Sequence, residues 1–220
     1  MKFSECNFRN LYKQYILINQ DYVFNGAVDV LLKQEYTSPL SMNAALCFCY
    51  IDPEAGMSFH FLCLANFESG EVDIESYNKM INGESVLLFR ANPDFNLKFY
   101  TGEISHFTSR TEMIDKCYHH DEGVLPTRNI TSIDNIRNAT FPDDILVFLI
   151  KDGLEPERPW VRLKKIEDGK ICGILLNEPF KEFGVHANEY VKLDVLLRDD
   201  EDIVILNANN INTQKEKFSN

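Results

Sequence analysis

At 220 residues the chain is long enough for one large domain or two modest ones, and two separate cores are expected. The 34 acidic residues outnumber the 22 basic ones and give a formal charge of −12, a field that repels phosphate backbones and anionic lipid and so excludes charge-driven binding to nucleic acid or membrane. A composition 45% hydrophobic and 12% aromatic belongs to a packed protein rather than a disordered one, and the acidic balance either serves solubility or complements a basic protein partner.

No apolar run precedes Arg9, so the start does not read as a secretory signal. Leu11, Tyr15 and Ile18 fall at helical spacing and predict a short amphipathic helix over 9–18. A second helix is expected over 27–36, stacking Val28, Leu31 and Leu32 and stopping before Ser38-Pro39. Two apolar runs, 42–51 and 57–67, flank Asp52-Pro53-Glu54-Ala55-Gly56 and predict a β-hairpin whose second strand is central and covered on both faces. A helix over 73–81 and two strands, 85–90 and 97–104, on either side of Ala91-Asn92-Pro93-Asp94 complete this part.

From about 108 to 140 the text is polar and predicts a connector with one helix. Beyond Phe141 short strands follow in close succession, at 145–150, 159–166, 170–176, 190–193 and 203–206. Asp168-Gly169 supplies the positive φ of a narrow hairpin between the second and third of them. The expected fold class is thus α+β: an N-terminal antiparallel sheet with helices over 1–140, an SH3-like or partly open β-barrel over 141–208, and a flexible tail over 209–220. No run approaches the roughly 20 apolar residues of a membrane helix, Ile145–Ile150 being the longest in this part of the chain.

Six cysteines, at 6, 47, 49, 63, 117 and 172, are even in number, but Cys47, Cys49 and Cys63 sit in apolar text and no export signal is present. Reduced thiols and a cytoplasmic location are expected, and the Cys47-Phe48-Cys49 spacing reads as strand packing. Cys117-Tyr118-His119-His120-Asp121-Glu122 is the one cluster with metal-ligand chemistry. Adjacent histidines do not readily reach one ion, so Cys117, His119 and His120 are weak candidates and no metal or cofactor is expected. A Cys117 nucleophile with either histidine stays open as an alternative. His60 reads as a hydrogen-bonded core residue, and Arg198-Asp199-Asp200-Glu201-Asp202 as a solvated turn or the edge of an acidic docking surface. Phosphate-binding glycine loops, nucleophile elbows and zinc helices are absent from the sequence.

Strand alternation puts Trp160, Arg162 and Lys164 on one face and Val161 and Leu163 on the other. One reading makes that face a surface for a carboxylate or acidic patch, with Glu157, Arg158, Asn177 and Glu178 beside it. The other has Trp160 closing the barrel under Arg158 or Arg162, themselves paired to Glu155 or Glu157. Asn177-Glu178-Pro179 reads chiefly as turn chemistry.

The stretch Glu155-Pro156-Glu157-Arg158-Pro159-Trp160-Val161-Arg162, then Gly173-Ile174-Leu175-Leu176-Asn177-Glu178-Pro179, resembles bacterial small-barrel domains that carry a Trp-Val-Arg strand, a hairpin and a Leu-x-Asn-Glu-Pro turn. Domains similar to these occur among immunity proteins of bacterial toxin systems, and the resemblance spans 145–206. It departs at Asn188-Glu189, where those domains carry Gly-Asp; asparagine also enters the left-handed region. Together with the acidic charge, the cytoplasmic character and the missing catalytic motifs, the resemblance leads to the expectation of a non-enzymatic bacterial interaction protein, such as an immunity-type inhibitor of a basic toxin or effector, of unknown oligomeric state. The alternatives are a small-molecule-binding protein or enzyme with a pocket between the two domains, lined by Tyr50, Phe59, Phe61, Phe89 and Phe99, and an adaptor in a larger assembly.

Overall fold

The computed structural model describes residues 1–118, 121–198 and 201–210. Helices and two sheets make an α+β protein that divides into units 1–119 and 120–220. Among the described residues no helix is long and apolar enough to cross a membrane.

The first unit opens on a one-turn helix, α1 (Phe8–Leu11), capped by the Asn7 side chain accepting from the Arg9 N–H. The helix expected over 9–18 ends there. Lys13 turns into the left-handed region at φ 60°, and Tyr15–Asn19 form strand β1 instead. Packing decides the outcome, because Ile16 and Ile18 enter the core on one face and Leu17 on the other, as a strand between two partners requires. Helix α2 (Asp21–Leu32) follows, starting earlier and ending earlier than the sequence suggested; Glu35 leaves it at φ 57°.

Strands β2 (Ala44–Asp52) and β3 (Gly56–Ala65) form the expected hairpin, every residue of both buried. Asp52 Oδ1 accepts from the Glu54 and Ala55 N–H groups, and Gly56 closes the turn at φ 73°. Helix α3 (Ile74–Asn82) is capped by Asp73. Strands β4 (Leu88–Arg90) and β5 (Asn96–Phe99), neighbours in sequence, occupy opposite edges of an antiparallel sheet of order β4-β3-β2-β1-β5. Phe95, fully buried between them, anchors the crossing, and its carbonyl accepts from Phe3. Helices α1 and α2 cover one face, α1 with Phe8 and Leu11 and α2 with Val23, Ala27 and Leu31, while α4 (Thr108–Cys117) covers the other with Ile114 beside Phe107.

The second unit takes in residues that the sequence reading treated as a connector. Helix α5 (Val124–Arg128) and a 3-10 turn (Thr131–Ile136) pack here because arginines rather than a run of apolar residues tie them down. Arg128 grips Asp143 with two prongs at 2.8 and 2.6 Å. Arg137, 3% exposed, donates to Asp134, to the Pro142 carbonyl and to the Thr127 carbonyl. The unit boundary accordingly lies near 120 rather than 140.

The run expected as one strand at 145–150 is two, β6 (Asp144–Leu146) and β7 (Phe148–Ile150), turning at the buried Val147. With β8 (Trp160–Glu167), β9 (Lys170–Leu175), β10 (Tyr190–Arg198) and β11 (Glu201–Asn207) they form one sheet of order β6-β8-β9-β10-β11-β7. A single short run thus supplies both ends of the sheet, which curls into a partly open barrel; β7 pairs parallel with β11 and every other pairing is antiparallel. Asp168 and Gly169 make the narrow hairpin at φ 52° and 75°. At Gly173 any Cβ would lie 2.5 Å from the Arg162 carbonyl, so strands β8 and β9 approach as closely as they do only over glycine. Asn209, expected in the tail, accepts from the Asp152 N–H; residues 211–220 lie outside the described residues.

Candidate functional site

Strand β9 ends at Leu175 and β10 begins at Tyr190, and the loop between them carries the Asn177-Glu178-Pro179 motif. The β8–β9 ladder continues one step past its end: Leu176 N–H donates to the Trp160 carbonyl at 2.9 Å, and the Asn177 side chain accepts from the Trp160 N–H at 2.8 Å. Asn177 therefore acts as an extra rung that fixes where the loop departs. Beyond Pro179, the two carboxylate oxygens of Glu157 accept from the N–H groups of Phe180 and Lys181 at 2.8 and 2.9 Å. Lys181 reaches back to Glu155 at 2.8 Å, and Lys151 donates to the Glu182 carbonyl.

Phe183 and Val185 then sink into the barrel core on either side of Gly184, whose φ of 85° permits the bend. The return is fastened by Glu178, which takes His186 Nδ1 at 2.7 Å and the Ala187 N–H at 2.8 Å. These contacts set the local acidity: the Ala187 N–H and His186 hold Glu178 below the usual carboxylate range, and Glu178 holds His186 above the usual imidazole value. Asn188 enters the left-handed region at φ 68° in the place where glycine was the pattern, and its N–H returns to the Leu175 carbonyl.

A loop tied at this many points leaves its apex little freedom, yet Phe180 at that apex is 100% exposed. A large apolar ring held in water on a pinned backbone has already lost the main-chain entropy that binding would otherwise consume. The segment around it carries exposed Glu178 and Glu182, and the charge of Lys181 is taken up by the exposed Glu155.

The structure distributes the sequence candidates unevenly. Glu157, Asn177 and Glu178 converge on the loop as its fasteners. Trp160 is half-buried at its root, and neither arginine lies over its ring: Arg158 stacks on Phe148 at 4.9 Å and Arg162 on Phe141 at 5.9 Å. Arg162 is occupied by Asp144, at 2.7 and 2.9 Å, so its fork is not open to an outside carboxylate. The predicted pairing of Glu155 or Glu157 with an arginine is replaced by Lys181 and by backbone N–H groups. Phe180 and His186 were missed in the sequence. The signal for Phe180 was a lone aromatic after proline in polar text, while a contact between residues 178 and 186 has no periodicity to betray it.

Cys117 is exposed at the end of α4, and its two histidine companions, His119 and His120, lie outside the described residues, as do Asp199 and Asp200. Among the described residues no group of three or more His, Cys, Asp or Glu side chains could hold a metal ion. Phe59, Phe61, Tyr50 and Phe89 are buried in the first unit's core, and Phe99 borders a shallow cavity, of about 180 Å³, with Lys98, Tyr100 and Gly70. No protein-family model matches the chain, and comparisons with curated proteins and with solved structures found no match.

Proposed function

We propose that the chain is a non-enzymatic binding protein whose second unit docks a basic protein partner, with Phe180 as the anchor. The observation that carries the reading is the full exposure of Phe180 above a backbone fastened by Glu157, Glu178 and Asn177. Interfaces concentrate their energy in a few aromatic anchors that fill a pocket on the partner, ringed by polar groups that exclude water. The exposed carboxylates of the same loop, Glu178 and Glu182, and the net charge of −12 favour a cationic rim on that pocket and speed encounter with it.

The partner class proposed is a toxin or effector with a basic active site, which an acidic protein blocks by covering it and without chemistry of its own. The resemblance of residues 145–206 to barrel domains of immunity proteins supports this choice. The test uses purified basic proteins encoded beside this one, titrated by calorimetry with wild type, Phe180→Ser and Glu182→Gln. Binding should weaken at least tenfold in Phe180→Ser at an unchanged melting temperature, and modestly, in a salt-dependent manner, in Glu182→Gln. Equal affinity of Phe180→Ser and wild type, or no binding by any neighbour, overturns the proposal.

A further inference from the structure

A second polar constellation lies in the first unit, apart from the loop and independent of its role. In the antiparallel register Tyr50 faces Ser58 and Ser58 faces Arg90, so these three side chains form one row across β2, β3 and β4. His60 stands one step along the same face of β3. Arg90 Nη1 donates to Ser58 Oγ and, at 3.0 Å, to Asp52 Oδ2. From α4, Arg110 Nε donates to His60 Nε2 at 3.1 Å and its Nη2 to the Ser85 carbonyl at 3.4 Å.

Counting donors against acceptors exposes an imbalance. Because Nε2 of His60 accepts from Arg110, its ring proton resides on Nδ1, and that atom is buried with no hydrogen-bond partner. The Tyr50 hydroxyl is buried as well, with only the Tyr118 side chain beside it. Both residues are more than nine-tenths buried, at 4% and 2% exposure. Of the two guanidinium groups, Arg90 is paired with a carboxylate, Asp52, and Arg110 is bonded to the neutral His60 ring and the Ser85 carbonyl. The cluster therefore holds more donors than acceptors and more positive than negative charge, in a chain whose overall balance is strongly acidic. Buried donors without acceptors are rare in folded proteins and ask for an explanation.

We propose that Arg90 and Arg110 form a binding site for an oxyanion, a phosphate or carboxylate group of a small ligand, over the Tyr50–His60 face of this sheet. Ser58 and His60, to which the two guanidiniums are anchored, are two residues apart on one strand and hence about 7 Å apart. Two charge-assisted bonds of about 2.8 Å to oxygens of one anion cover such a span. Arg90 is half exposed and Arg110 partly so, which gives the anion its approach. Tyr118, whose ring centroid lies 4.5 Å from that of Tyr50, is the side chain that has to give way for an oxygen to reach the Tyr50 hydroxyl. The bound oxygens supply the acceptors that the cluster lacks.

The test titrates full-length protein with inorganic phosphate, with acetate and with chloride at matched ionic strength, following the His60 ring nitrogens and the arginine Nε–H signals by NMR. Phosphate or acetate should shift His60, Arg90 and Arg110 saturably, and the probe that saturates at the lower concentration identifies the class. Chloride should not. The half-exposed position of Arg90 makes Arg90→Gln the variant that keeps the fold, and it should lose at least tenfold in affinity, whereas Arg158→Gln in the other unit should bind as wild type. Shifts that chloride reproduces, that fail to saturate, or that survive in Arg90→Gln overturn the proposal.

Discussion

Asp144 and Arg162 face each other as register partners on β6 and β8 and close the same gap with a two-pronged ion pair, Nε to Oδ1 at 2.7 Å and Nη2 to Oδ2 at 2.9 Å. Asp144 is buried, so the pair welds the first strand of the barrel to its neighbour rather than offering Arg162 to a ligand. Arg162→Ala leaves that carboxylate without its partner and should destabilise the second unit by about 2 kcal/mol. Urea unfolding followed through Trp160, the only tryptophan, measures it. A loss of partner binding with stability unchanged would contradict the structural role.

The Glu178–His186 contact has a pH window of its own. Glu178 lies below its ordinary value of 4.5 through the Ala187 N–H and His186, and His186 above 6.5 through Glu178. The carboxylate contribution is present above 4.5 and disappears as pH falls through the lowered Glu178 value. The imidazolium contribution is present below 6.5 and disappears as pH rises through the raised His186 value. The loop is therefore held best between about 4.5 and 6.5. In NMR titrations the His186 midpoint should fall in Glu178→Gln; an identical midpoint in both proteins would break the assignment.

His60 behaves in the opposite sense. Burial, followed by the positive Arg110, pushes its value down to about 4, so it stays neutral where an ordinary histidine is charged. Below pH 6.5 the unfolded chain gains a proton that the folded one refuses, and the first unit should lose stability progressively down to pH 4. Histidine proton shifts for His60 should remain flat between pH 7 and 5; a midpoint near 6.5 would place its ring in water.

Thiol chemistry separates the cysteines by depth. Cys117 is exposed and Cys6 half-buried, while Cys47, Cys49 and Cys63 are sealed in the sheet, where burial raises their thiols. A thiol-disulfide reagent under native conditions should consume Cys117 first and Cys6 more slowly. Cys47, Cys49, Cys63 and Cys172 should react only on unfolding, and rapid native reaction of any of them would count against the packing.

Much of the architecture could be read from local pattern alone. The 42–67 hairpin, the helix expected over 73–81 and the Asp168-Gly169 turn each rest on chemistry within a few residues, and each formed as expected. Strand β1 misled because Leu11, Tyr15 and Ile18 satisfy a helical period by coincidence, whereas burial between β2 and β5 favours an extended chain. Residues 121–140 read as part of a connector with one helix because Arg128 and Arg137 organise them through a carboxylate and carbonyls 5 to 15 residues away, a pattern without hydrophobic periodicity. At the candidate loop Asn177 and Glu178 were read chiefly as turn chemistry and, with Glu157, as candidates beside a binding surface; all three emerged as the loop's supports. The ring they hold, Phe180, showed in the sequence only as a lone aromatic after proline, because exposure is a property of the assembled unit.

The turn at Val147 also governs the order in which the barrel can assemble. The β8–β9 hairpin closes a two-residue turn and needs no distant segment, so it can form early and recruit β6. The parallel pairing of β7 with β11 must wait, because it joins segments separated by about half of the unit and carries the largest loop-closure entropy. Until β11 arrives, β7 exposes an unpaired edge, so the second unit's vulnerability to aggregation and proteolysis during synthesis lasts until its final strand has emerged.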